Sequence, residues 1–345
     1  MPVFLNPKYT GPERRAGLNW PRTRPGALEP VGDRGLHIGL VNNMADAAMS
    51  ATEHQFLRLL EAAAGDMVVH VTLYALPGIE RRPPGQRRVG SFYFGAEQLW
   101  EHPEHHPDGL IVTGREPRTP DLRQEAYWPG FTRVLDWAQE QACSVVWSCL
   151  AAHAAVLALD GIERVRSPHK HFGIFACERA APHPLLAAAP ARLPVPHSRW
   201  NGVPAEELIA NGYQVLTRTS DGGVDTFVKE DAGLFVFFQG HPEYEPETLM
   251  GEYRRDVGRY LKGESETYPL LPLNYFEDGV ERSLREIEAR ARVSRRDTLM
   301  SEVLTALRGA QILNTWRGTA ALIYRNWLEH LCAQKCHDGK SALLS

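Results

Sequence analysis

Short apolar runs, Leu36–Val41, Val68–Leu76, Asp108–Gly114, Cys143–Trp147 and Leu234–Phe238, constrain the fold of this chain more than any other feature. Between them lie stretches with helical spacing. Ser50–Ala64 repeats Phe56, Leu57, Leu59, Leu60 and Ala63, Phe131–Gln141 carries Val134, Leu135 and Trp137, and Ala151–Leu159 is rich in alanine. Such alternation predicts an α/β fold with a mostly parallel central sheet flanked by helices on both faces, and active groups at the carboxyl ends of its strands.

Length and composition set the outer limits. At 345 residues and 43% hydrophobic content, the chain can bury one large α/β core or two smaller ones. A net charge of −4, with basic residues dispersed, argues against nucleic acid as a partner. No signal-peptide core occurs and no run reaches the roughly 18 apolar residues of a membrane span, so a cytoplasmic protein with no membrane partner is expected. The five cysteines are odd in number and lack paired CxxC spacing, which speaks against a disulfide framework and against structural zinc. Cys332 and Cys336 stand beside His330 and His337, but one helical turn would have to supply every ligand, so they read as incidental thiols and no metal is expected.

Along the chain, residues 1–35 read as an extended arm rich in Pro, Gly and Arg, and 36–276 as the catalytic domain. Residues 277–312 read as an exposed, charged helical excursion, and 313–345 as a C-terminal helix and tail packing on the catalytic domain. A helix over 246–262 should place Leu249, Tyr253, Val257 and Tyr260 on one side.

Chemistry gathers at two predicted strand ends. After Leu234–Phe238 comes Gly240-His241-Pro242-Glu243-Tyr244, which puts an imidazole and a carboxylate two residues apart, spaced to share one side of an extended chain. That is a base with its orienter. After Cys143–Trp147 comes Ser148-Cys149-Leu150-Ala151, a strand-to-helix turn where helical amides stand ready to favour a thiolate and an oxyanion. Either feature alone is weak, because a junction cysteine is commonly a small buried hydrophobe. Together they imply acyl transfer, with Cys149 attacking, His241 moving the proton and Glu243 holding the ring.

An ordered series of further strings extends the pattern. Thr248-Leu249, Glu252 and Arg255-Asp256 follow the GHPEY segment, and Phe56-Leu57-Arg58-Leu59-Leu60, Asp108–Gly114, Tyr127-Trp128, Lys170 with Phe172-Gly173, and Pro196-His197-Ser198-Arg199 precede it. Asn274-Tyr275-Phe276, Trp316-Arg317 and Asn326-Trp327 close the series. Over roughly residues 36–334 the chain resembles the homoserine O-acyltransferases of the succinyltransferase type, whose fold is related to class I glutamine amidotransferases. The resemblance implies a Cys149, His241, Glu243 triad and ping-pong transfer of an acyl group from coenzyme A to the hydroxyl of homoserine, a step toward methionine. It also implies Lys170, Ser198 and Arg255 at the amino-acid and acyl site. Acyl-CoA would be a co-substrate, with no other cofactor.

Some positions depart from the family pattern. Leu150 replaces an aromatic residue, and His153 stands for a glutamine, which implies a remodelled pocket near the nucleophile. Asn43-Met44-Ala45-Asp46-Ala47-Ala48-Met49 lacks the family's active-site lysine, so a donor or oxyanion contact is expected to be missing. Arg118 occupies the position that separates succinyl from acetyl donors, where its charge would meet a dicarboxylic acyl group or a coenzyme phosphate. Other readings stay open: serine as acceptor, a glutaminase-type amidotransferase, a non-catalytic paralogue, and a homodimer in which the excursion serves as contact.

Overall fold

The computed structural model describes residues 3–6, 35–103 and 106–342. Its larger sheet uses β1 (Val3–Leu5), β2 (Leu36–Val41), β3 (Val69–Ala75), β4 (Phe94–Gly95), β5 (Gly109–Thr113) and β6 (Ser144–Ser148). A hairpin of β7 (Val165–Arg179) and β8 (Arg192–Gly202) follows, then β9 (Gln214–Val215), β10 (Thr217–Thr219), β11 (Thr226–Glu230) and β12 (Leu234–Phe238). The order across the large sheet is β1-β3-β2-β5-β6-β12-β11-β9, with β4 beside β3. Pairing is parallel from β1 to β12 and antiparallel only at β11 and β9. All five expected strands are present. Every side chain of β5, β6 and β12 is buried, which is what a strand covered on both faces requires.

Helices α1 (Asp46–Ala64), α2 (Pro83–Phe92), α3 (Gln98–Glu101), α4 (Trp128–Glu140), α5 (Leu150–Asp160) and α6 (Ala205–Ala210) precede the last strands. After them come α7 (Thr248–Leu261), α8 (Asp278–Val293), α9 (Thr298–Arg308) and α10 (Arg317–Ala342). Phe56, Leu59 and Leu60 of α1 and Tyr324, Trp327 and Leu328 of α10 pack with Leu40, Val71 and Val236 on one face of the sheet. On the other, Phe131, Leu135 and Trp137 of α4 and the alanines of α5 meet Leu110, Val145, Trp147 and Phe237. Small alanines let α5 lie close to the strands.

Two features differ from the expected pattern. Helix α1 begins at Asp46 rather than Ser50, its first turn carrying an acidic group where the helix dipole favours one. The charged stretch after 276 is not a solvated excursion, because its apolar stripe is covered. Leu284, Ile287 and Ala291 of α8 and Leu299, Val303 and Leu307 of α9 are buried in a third cluster with Leu249, Tyr253 and Val257 of α7. Burying a side chain of this size contributes about 1.5–3 kcal/mol, so the cluster ties α8 and α9 to α7. Their arginines and glutamates pair on the outer face, as Arg285 with Glu281 and Arg292 with Glu288.

The arm expected over 1–35 lies mostly outside the described residues; its described part includes β1, at the sheet edge. Among the described residues no helix is long and apolar enough to cross a membrane.

Candidate active site

Strand β6 ends at Ser148, and the chain must reverse into α5 within one residue. Cys149 makes that turn with φ 52° and ψ −111°, a conformation that L residues adopt at a cost of about 1–3 kcal/mol. Three hydrogen bonds hold it: its amide donates to Phe238 O at 2.7 Å, and its carbonyl accepts from Ala152 N at 3.0 Å and His153 N at 3.4 Å. The amides of Leu150 and Ala151 precede these first helical bonds and point from the positive end of α5. Gly114 makes room there, since a Cβ on it would stand 2.5 Å from Leu150 Cβ and 2.7 Å from Ala151 N.

Neighbouring strand β12 delivers the base. His241 N donates to Pro196 O at 2.8 Å, and Nδ1–H of the ring donates to Glu243 Oε1 at 2.8 Å. Burial by itself lowers the His241 pKa, but the facing Cys149 and Glu243 outweigh burial and raise it well above the ordinary histidine value. The structure therefore brings Cys149, His241 and Glu243 together in sequence-expected order, with the imidazolium form favoured beside the sulfur.

A second group of side chains comes from the hairpin and α7. Tyr244 stacks on His241 with centroids 4.1 Å apart, and its hydroxyl donates to Glu252 Oε1 at 2.7 Å. Ser198 Oγ donates to the other oxygen, Oε2, at 2.5 Å, and Lys170 Nζ lies 3.9 Å from it while resting over the Phe172 ring. Burial lowers the Lys170 pKa despite Glu252 and Asp256, so its ammonium is under-compensated. Arg255 stands at the rim, about half exposed, with Nε and Nη2 on the Asp256 carboxylate. Sequence reasoning gave no role to Glu252, the hub of this group. Its signal was spacing: 252 lies three residues before Arg255, on the same side of α7.

Other expectations fail at this point. The Arg118 side chain does not join either group; it pairs on the surface with Glu80 at 2.6 Å, while its amide donates to Glu125. An accessible carboxylate across the loop satisfies it outside the cleft. His153 does not remodel the pocket beside the nucleophile. One helical turn below Cys149, it is buried against Gln239, Nε2 to Oε1 at 2.9 Å, and burial pushes its pKa down to about 3. Where the family lysine is absent, Asn43 clamps the loop to β5 through Nδ2 to Thr113 O at 2.8 Å. Arg81 enters beneath that loop, but its guanidinium donates to Met44 O and Asp46 and so serves to shape it.

One set of side chains has the composition of a metal site: Cys177, His197 and Asp225, all buried, with ligand atoms within 4.8 Å of one another. The hydrogen bonds oppose that use. Arg199 Nε donates to His197 Nδ1 at 3.2 Å, so the ring's proton sits on Nε2, facing Asp225 Oδ1 at 3.2 Å. A metal would need that lone pair.

Residues 31–338 match the family model described as homoserine O-succinyltransferase. The homoserine O-succinyltransferase of Rhodopseudomonas palustris is 45% identical over 87% of this chain and 90% of its own. That of Methylorubrum extorquens is 44% identical over 90% and 89%. A solved glutamine amidotransferase from Methylobacillus Flagellatus superposes with a TM-score of 0.48 at 16% identity, covering 86% of this chain and 94% of that one, a likeness too weak to support a conclusion.

Proposed function

The chain belongs to the homoserine O-succinyltransferase family, and from that premise we propose that it moves a succinyl group from succinyl-CoA to the side-chain hydroxyl of L-homoserine through a thioester on Cys149. The observation that carries this reading is the contact of Glu243 with His241 Nδ1, which leaves the other ring nitrogen for a sulfur on a positive-φ turn at a helix start. In the first half-reaction the Cys149 thiolate attacks the acyl carbonyl. The developing oxyanion meets the amides at the start of α5, the C–S bond to coenzyme A breaks, and the departing thiolate takes the proton of His241. In the second, His241 accepts the homoserine hydroxyl proton as that oxygen attacks the thioester, and the Cys149 thiolate leaves.

The hairpin and α7 supply the acceptor's recognition. Glu252 keeps acceptor capacity for an ammonium, and Lys170 with Arg255, once released from Asp256, would take an α-carboxylate. A hydroxyl between them and His241 faces the thioester.

The test is intact-mass analysis after mixing the purified chain with succinyl-CoA. A stable mass increase on the Cys149 peptide is expected, discharged by homoserine and not by serine. No label from succinyl-CoA or acetyl-CoA would overturn the acyl-enzyme, and discharge by serine alone would change the acceptor.

A further inference from the structure

The outer end of the β7–β8 hairpin carries an aromatic surface that the chemistry above leaves unused. Trp200 is the most exposed of the described tryptophans, at 41%, and the Arg166 guanidinium lies 4.5 Å above its ring. Its place follows from the strand. Side chains alternate along β8, so His197 and Arg199 turn inward while Ser198 and Trp200 share the face that Glu252 meets. Trp200 therefore stands two residues, about 7 Å, beyond Ser198 on that face. Across the hairpin the pairing slips between Arg166 and His171, so residues 167–170 bulge out, with Lys170 turned toward Glu252 and Arg166 over the indole.

The same strand reaches the nucleophile's helix. Val203 N, one residue past β8, donates to Gln239 Oε1 at 3.1 Å, and that oxygen also meets His153 Nε2 at 2.9 Å, one helical turn from Cys149. Along β8, Trp200 thus stands between the acceptor group and the strand end tied to α5. The arginines here are not engaged by carboxylates. Arg118, Arg123 and Arg133 hold Glu80, Asp121 and Glu140, whereas Arg164 and Arg166 hold no carboxylate among the described residues. Arg164 stands two residues before Arg166, and its Nη2 donates to a carbonyl, Pro120 O, at 3.0 Å. Glu163 beside it is taken by Arg123 at 2.7 Å. A half-open indole next to two guanidinium groups with uncancelled charge matches one chemistry, an aromatic base bearing phosphates. The ring stacks the base, and the planar forks donate to phosphate oxygens.

We propose that Trp200, Arg166 and Arg164 form the seat for the nucleotide end of coenzyme A, with the adenine stacked on the indole and the phosphates on the two guanidinium groups. This rests on the reading that the acyl donor is a CoA thioester. The pantetheine arm spans from this seat to the thioester at Cys149, while the acceptor enters at Lys170, Ser198 and Glu252. Binding energy drawn from the remote nucleotide then positions the acyl carbonyl without occupying the groups that take homoserine.

The test is isothermal titration of the full chain with CoA, and with adenosine 3′,5′-bisphosphate as a competitor. Trp200→Ala should weaken CoA binding about tenfold, the loss of one base–aromatic stack, and Trp200→Phe should recover most of the affinity. Arg166→Ala should also weaken it about tenfold at low salt, and its affinity should fall less steeply than that of wild type as salt is added. The bisphosphate should displace CoA from the wild-type chain and do so poorly from Trp200→Ala. Should Arg164→Ala fail to fold, the exposed Trp200 and Arg166 variants decide by the same signs. A packing role for the Arg166–Trp200 pair predicts a lower melting temperature with CoA affinity unchanged. That result, a bisphosphate that binds without displacing CoA, or a wild-type chain that does not bind CoA, overturns the proposal. Donor labelling is read separately. A chain that takes no acyl label yet binds CoA through Trp200 would refute the reaction and leave this seat standing, whereas labelling by succinyl-CoA with equal CoA affinity in all variants would remove the seat alone.

Discussion

The two halves of the cleft are held in different ways. Cys149 and His241 sit at the ends of adjacent parallel strands, fixed by main-chain bonds to Phe238 O and Pro196 O and backed by fully buried apolar strands. Lys170, Ser198 and Glu252 come from the β7–β8 hairpin and α7, and it is chiefly their own side chains that orient one another. A backbone-held site keeps its geometry when a neighbour changes. A side-chain-held site can change what it binds by one substitution, so the sheet half suits the chemistry and the hairpin half suits the choice of acceptor.

The largest effect should come from the sheet half. His241→Ala removes the proton carrier of both half-reactions, and acyl-enzyme formation measured by rapid quench should fall about 10²–10⁴-fold. A loss confined to the acceptor half-reaction would erase the distinction between the halves. Glu252→Gln should do the reverse: acylation of Cys149 stays within a few-fold of wild type, while kcat/KM for homoserine falls on the order of 10- to 100-fold as the charged partner of the ammonium is lost. Equal loss in both half-reactions would show that Tyr244 carries the Glu252 charge to His241, since the two share a hydrogen bond.

A smaller effect concerns stability. His153 is held neutral with a pKa near 3 in the folded chain against 6.5 in its ordinary state. The unfolded chain therefore binds the extra proton, and this group's contribution is complete above pH 6.5 and is lost as pH falls toward 3, by about 1.4 kcal/mol per pH unit. His197, pushed down to about 4, adds a parallel loss. His153→Gln keeps a donor for Gln239 but does not titrate, so the fall in melting temperature between pH 6.5 and 5 should be shallower than in wild type. An unchanged slope would place the acid sensitivity elsewhere. The smallest effect is expected at Arg118→Gly, which removes a surface pair with Glu80 and should alter the ratio of succinyl-CoA to acetyl-CoA efficiency by no more than about twofold. A larger change would bring the loop after β5 into the donor site.

Much of this was legible in the chain. The buried strands announce themselves because a strand covered on both faces reads as a short, near-continuous apolar run instead of an alternating one, and GHPEY and the Cys149 turn stand where such strands end. The β7–β8 hairpin was not, because Val165–Arg179 mixes Arg, His, Lys and Phe without strict alternation and becomes a strand only through pairing with β8. The coverage of α8 and α9 was hidden for a related reason: their surface charge can be read locally, while the burial of their apolar stripe depends on how they fold back onto α7, the helix before them.

Sequence by itself marked the five buried strands, the helices packed on them and Cys149, His241 and Glu243 as a candidate triad at the strand ends, because each depends on short-range periodicity and turn chemistry. Tertiary structure alone decided which charges face one another. It turned Arg118 outward to Glu80, drew His153 inward to Gln239, made Glu252 the meeting point of Ser198, Tyr244 and Lys170, and set Arg199 on His197. Charge acts through space, and the distances between these groups are fixed by how loops, helices and the hairpin pack around the sheet.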